Sequence, residues 1–170
     1  MDTLTAIRER RSIRKFQNQP IEPEKLERVL EAARLAPSAR NAQNWKFVVV
    51  QDEALRMQLA EATKYKFIAE APVIIAGVSL DPERVMSCGV PAYAVDLAIA
   101  MTNITLAAQA LGLGTCWIGG FEQQKAREVL GIPERYKVVE LMPLGYPAEA
   151  PPARPRKSLD EIVCYDRFTE

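Results

Sequence analysis

Four short segments hold side chains that can do chemistry. RRSIRKF (10–16) places Arg10, Arg11, Ser12 and Arg14 within five positions. A guanidinium forks onto two phosphate oxygens, and a hydroxyl adds a further hydrogen bond. A phosphate monoester carries about −1.5 to −2 charge, so enclosing one takes several cations. Taken alone, the better account is a solvated basic helix end, where cations favour the dipole. APSARNAQNW (36–45) offers Ser38, Asn41 and Gln43 just ahead of an apolar run. These groups suit a polyol or the edge of a heteroaromatic ring, and they equally suit a helix end and a turn. GLGTCWIGGF (112–121) is no phosphate loop, because Gly120 stands where Lys must be. Nor is it a dinucleotide fingerprint, because Trp117 occupies the third glycine's place. Glycines at a strand end still admit a flat ligand to backbone N–H groups. A helix C-cap explains Gly112 and Gly114 but not the pair Gly119–Gly120. RPRKSL (154–159) is a second basic cluster of Arg154, Arg156 and Lys157. It is either a solvated linker or a second set of cations closing on the same anion. Lys66, in TKYKFIAEAP, reads most simply as an exposed helix lysine.

Composition narrows the chemistry. The 170 residues fit one domain spanning 1–170, with room for a core. Lys+Arg and Asp+Glu are both 22, so a general nucleic-acid partner is not expected. There is no histidine, which removes imidazole as base, shuttle or metal ligand. Cys88, Cys116 and Cys164 are odd in number and far apart. They suggest neither a disulfide framework nor a metal site, and they point to a reducing, cytoplasmic setting. The N-terminus lacks the pattern of a signal peptide. The most apolar stretch, Tyr93 to Leu113, is interrupted by Asp96, Asn103 and Gln109, so a core helix is expected rather than a membrane span. Demanding chemistry in such a chain falls to a bound organic cofactor.

The elements that must position these groups are legible. Asp2 caps a helix to about Arg10, and Pro23 opens a second that stops near Pro37. Residues 37–44 read as a loop. Trp45–Gln51 and Val73–Val78 read as strands, the second wholly apolar and so covered on both faces. Asp52 caps a helix between them. A long helix over about 92–111 is apolar nearly all round and is expected to be the central buried element. Then come a short strand or turn at Thr115–Ile118, a helix at Glu122–Leu130 and a strand at Val138–Leu144. The tail starts Pro-rich and extended and ends in an apolar patch of Leu159, Ile162 and Val163. The pattern predicts an α+β, three-layer domain, with a small mixed or antiparallel sheet sandwiched by helices.

RRSIRKF, PSxxNxQxW, GLGTCWIGG and RxRKxLxEIV, in this order and at these separations, resemble the nitroreductase family of FMN-dependent oxidoreductases. The similarity covers nearly the whole chain. The resemblance implies that Arg10, Arg11, Ser12 and Arg14 grip the FMN phosphate, ribityl chain and pyrimidine edge. Arg156, with Arg154 or Lys157, completes the phosphate site. Pro37, Ser38, Ala39, Asn41 and Gln43 match the loop that covers the flavin, contributed partly by the neighbouring subunit. Lys66 matches a position near flavin N1 and O2, and Ile118, Gly119 and Gly120 match the strand facing N5 and O4. The resemblance further implies an intertwined homodimer with its C-terminal arm on the partner. Hydride would pass from NADH or NADPH through flavin N5 to a small organic acceptor such as a nitroaromatic or quinone, in ping-pong order. It assigns cofactor-tuning residues and no catalytic side chain. A reductive dehalogenase, an enone reductase, a ferredoxin-fed reductase and a non-catalytic FMN- or anion-binding module stand as alternatives. Two positions depart from the pattern: Ala39 replaces a frequent Ser, and Asn44 a common Pro.

Overall fold

The computed structural model describes residues Met1–Glu170. In chain order the elements are α1 (Thr3–Glu9), α2 (Pro23–Arg34), β1 (Trp45–Val50), α3 (Glu53–Glu61), β2 (Val73–Ser79), α4 (Ala92–Ala110), β3 (Gly114–Thr115), α5 (Gln123–Leu130) and β4 (Lys137–Gly145). Short 3-10 turns lie at Ala39–Asn41, Lys66–Glu70 and Leu159–Glu161. Helix starts follow local chemistry. The Asp2 and Asp52 carboxylates accept the N–H groups of Thr5 and Leu55, and Pro23 sits in the first turn of α2.

The four strands run in the order β1-β2-β4-β3. All three pairings are antiparallel, and the parallel contact is a lone bridge between Ser12 and Thr115. Every residue of β2 is buried, as its unbroken apolar run requires. Alternation along β2 and β4 divides the core in two. Val73, Ile75, Met142 and Leu144 pack with Val29 and Ala33 of α2 and with Ala100, Met101, Ile104 and Ala108 of α4. Ile74, Ala76, Val138 and Leu141 pack on the other face with Leu59 and Ala60 of α3, Ile68, and Ala126 of α5. Helix layers therefore flank one sheet, as the pattern predicts.

One expectation needs correction. Within the chain, α4 is not wrapped on all sides. Leu97, Ala100, Met101, Ile104 and Ala108 are buried, while Ala94 and Thr102 are exposed and Val95 and Ile99 only half-buried. An all-round apolar helix with one open side has apolar surface left to cover. The short strand or turn expected over Thr115–Ile118 is a two-residue strand, Gly114–Thr115, followed by a single bridge from Ile118 to Leu141. The tail keeps its expected extended character. Beyond Pro151 every residue is exposed, including Leu159, Ile162, Val163, Tyr165 and Phe168. No helix is long and apolar enough to cross a membrane.

Candidate functional site

The two basic clusters meet. Arg8, Arg10, Arg11, Ser12 and Arg14 line one open cavity of about 640 Å³ with Arg154, Arg156 and the Pro151–Ala153 segment. Local structure explains why. Beyond Arg10 the chain leaves α1 and runs extended beside β3, where Ile13 N–H donates to the Thr115 carbonyl at 2.9 Å. A Cβ on Gly114 would lie 2.6 Å from Ile13 Cγ1, so only glycine lets the 12–14 segment come this close. The tail returns from β4 across the same ground. Ala148 N–H donates to the Lys15 carbonyl at 2.9 Å, and Glu149 Oε1 accepts Arg14 N–H at 2.5 Å.

None of the six guanidinium groups on this cavity belongs to an ion pair; the four pairs in the chain lie elsewhere. Arg11 turns its Nη1 onto the Arg8 and Arg10 carbonyls at 2.8 and 3.0 Å. Arg14 reaches only the Ser12 carbonyl, at 3.4 Å. So many like charges around one space repel each other, and an anion in that space removes the repulsion. Cys116 is buried behind them. Burial pushes its thiol up, and the Arg14 and Arg10 charges and the Ser12 hydrogen bond pull it back in part.

The other expected residues divide. Ile118 is buried, and Gly119 and Gly120 are exposed on the same strip of chain, two to four residues past Cys116. A Cβ on Gly120 would meet Tyr65 Cε2 at 3.0 Å, and Thr63 bridges Phe121, so the 63–66 segment lies against this glycine pair. Lys66 is exposed and pairs with Glu61 at 2.5 Å. Lys157 does not line the cavity. The loop of Pro37, Ser38, Ala39, Asn41 and Gln43 is not part of this strip. It precedes β1, at the corner where Trp45 pairs Ser79, whereas the basic cluster adjoins β3, at the corner where Thr115 pairs Leu144. The corners are separated by three strand spacings, about 14 Å, and by six residues of β2, about 20 Å. The loop is nonetheless built firmly. Gln43 N–H donates to Ser38 Oγ at 3.0 Å, Ala39 N–H donates to Asp96 Oδ1 at 2.9 Å, and Gln43 Nε2 donates to the Asn41 carbonyl at 3.1 Å. Arg40, Asn41 and Gln43 all take positive φ. At the departure positions, Ala39 contributes backbone bonds alone, and the Asn44 carbonyl accepts Leu80 N–H at 3.0 Å. Sequence reasoning missed Arg8 and Glu149. The RERR run at the end of α1 pointed to Arg8; nothing local pointed to Glu149, 135 residues from Arg14.

An α+β sandwich with an unpaired guanidinium cluster at one sheet corner offers an anion a place at the sheet edge, and a strip of exposed glycine backbone lies on the chain just past it. The model of the nitroreductase family matches residues 7–73 and 62–146. A nitroreductase family protein of Clostridium novyi NT has 38% identity, covers 86% of this chain and 87% of its own, and superposes with a TM-score of 0.81. An FMN-dependent nitroreductase of Clostridium difficile has 30% identity over 97% of this chain and 99% of its own, with a TM-score of 0.83. An FMN reductase [NAD(P)H] of Bacillus subtilis is 30% identical over 91% of this chain and 70% of its own length. The chain belongs to the nitroreductase family.

Proposed function

We propose that this protein is an FMN-dependent NAD(P)H oxidoreductase acting as a homodimer on small organic acceptors, nitroaromatics and quinones among them. The observation that carries this reading is the cluster of guanidinium groups on one cavity with no carboxylate paired to them. The donor set fits FMN. Arg10, Arg11, Arg14, Arg154 and Arg156 match a phosphate dianion, and Ser12 adds a hydroxyl beside it. Gly119 and Gly120 offer backbone without side chains to a flat ring, and Lys66 offers a cation to its pyrimidine edge. When bound, FMN accepts hydride from a reduced pyridine nucleotide and delivers it to the acceptor. The chain itself then needs to bind, orient and tune, and a protein without histidine suits that division of labour. Ser38, Asn41 and Gln43 lie too far along and across the sheet to serve their own chain's basic cluster. They fit the cluster of a second copy, and so does an uncovered apolar tail.

The test is visible by eye. The purified protein is expected to be yellow, to bleach with NADH or NADPH and to recolour on adding a nitroaromatic. A colourless protein that takes up no added FMN overturns the flavin assignment. A yellow protein that neither nucleotide reduces overturns the assigned electron donor.

A further inference from the structure

A second cavity opens beside the Ala39–Asn41 turn. It holds about 270 Å³ and is lined by Ala39, Arg40, Arg84, Val85, Met86 and Ser87. Two guanidinium groups share this small space, and Ala39, Val85 and Met86 supply apolar wall. Arg40 is exposed and makes no ion pair, and its backbone is held at φ 58° and ψ 23°, a left-handed conformation that a β-carbon disfavours. Non-glycine residues in this conformation concentrate at ligand-binding segments. Arg84 is half-buried and braces that turn, with Nη2 donating to the Ala39 carbonyl at 3.3 Å. On its other side Arg84 borders a narrow cleft containing Asp81 and Asp96. Both carboxylates have other partners. Asp96 Oδ1 accepts Ala39 N–H at 2.9 Å, and Asp81 Oδ2 accepts the Asn44 amide at 3.4 Å. Neither forms an ion pair with Arg84.

We propose that the Arg40–Arg84 cavity receives the anionic end, a carboxylate or a phosphate, of the small molecule that exchanges electrons at the flavin. This rests on the proposed function, in which the 37–43 loop covers that flavin. Two cations beside apolar wall suit an anion carried on an organic body, and the cavity's modest volume suits one end of such a molecule rather than the whole of it. The anion has two possible sources: an acceptor bearing a carboxylate, or the 2′-phosphate that separates NADPH from NADH.

The holoenzyme and its Arg40→Gln and Arg84→Lys variants are compared on two matched pairs of probes, 4-nitrobenzoate against nitrobenzene and NADPH against NADH. Arg40→Gln is expected to raise KM for the charged member of one pair by about tenfold, the loss of one charge-assisted contact, with the uncharged or less charged member little changed. The pair that responds identifies the source. Arg84→Lys keeps the charge but loses the planar fork, and its effect on the same probe is expected to be smaller. A readout independent of turnover accompanies these. Benzoate or 2′,5′-ADP titrated into oxidised holoenzyme is expected to perturb the flavin absorbance with a Kd weakened by the same factor. Retained FMN absorbance and an unchanged Tm confirm that Arg40→Gln is folded and loaded. Equal changes within both pairs, or none, overturn the inference while leaving the flavin reading standing. A wild-type protein that takes up no FMN overturns both.

Discussion

Arg10 and Arg14 approach the cavity from the end of α1 and from the extended segment beside β3, and neither guanidinium is paired with a carboxylate. Their charge is therefore dispensable to the apoprotein and valuable to an anionic ligand. Arg10→Ala or Arg14→Ala is expected to weaken FMN binding by about ten- to a hundredfold each, as charge-assisted hydrogen bonds usually do. Flavin fluorescence quenching measures this. The apoprotein Tm is expected to stay put, because no intramolecular ion pair is lost. The loss should shrink as salt rises, because these side chains are half-buried or exposed and so are screened. A fallen Tm with unchanged FMN affinity would make these arginines structural. Cys116, in contrast, sits behind the cluster as a protonated thiol, because burial outweighs the nearby positive charge.

At the scale of elements, β4 holds the least expected residue. Glu140 is fully buried, neither carboxyl oxygen has a hydrogen-bond partner, and burial pushes its pKa up to about 9. Its cross-strand partner is Gly77, whose missing side chain leaves room that Leu97 and Met101 of α4 approach, both 3.3 Å from the position of a Cβ. The folded state holds a proton here that the unfolded chain releases near the ordinary value of 4.5. The contribution of Glu140 to stability is therefore fullest below about pH 4.5 and declines as pH rises towards about 9, where the folded protein also ionises. Glu140→Met, similar in shape and apolar, should remove this slope. At about 2–4 °C per kcal/mol for a chain of this size, it is expected to raise Tm at pH 8 by roughly 5 °C or more, with little gain at pH 4.5. Thermal melts across that range decide it; parallel slopes for the two proteins would refute it. Nothing near Glu140 in the chain announces this, because its burial comes from α4, more than thirty residues away, packing over the face that Glu140 shares with Met142 and Leu144. The legible elements were those with local causes: capping aspartates, Pro23 and Pro37 at the limits of α2, and β-branched runs for β1 and β2. The meeting of Arg10–Arg14 with Arg154 and Arg156 was legible from the residues only as one of two readings of the second basic cluster, and the resemblance chose between them, because it depends on a tail returning across some 140 residues. The left-handed turn at Arg40 and Gln43 was not legible at all, because neither residue type favours it.

At the scale of the whole molecule, the chain leaves unfinished business on two counts. Its flavin-loop candidate and its basic cluster occupy opposite corners of the sheet, and its apolar surface is not all covered. Leu159, Ile162, Tyr165 and Phe168 are 62–87% exposed on a tail that touches its own domain little beyond Pro151, and Leu4 and Ile7 of α1 are 69% and 54% exposed. Exposed apolar groups gathered on α1, the open side of α4 and a free arm are the pattern of a surface meant for burial. A second copy related by a two-fold axis would meet both needs, because each loop could then reach the other chain's cluster. Replacing Leu159 and Ile162 together by Asp separates these contributions, since it leaves Arg154 and Arg156 intact. Light scattering is expected to show the mass falling from about 38 kDa, twice the 19.0 kDa chain, to that of one chain. FMN affinity is expected to fall with it by about tenfold or more, because the loop's hydrogen bonds to the cofactor leave with the partner. A monomeric variant that holds FMN as tightly as the parent would mean that the arginine cavity of one chain suffices, and that the 37–43 loop serves something else.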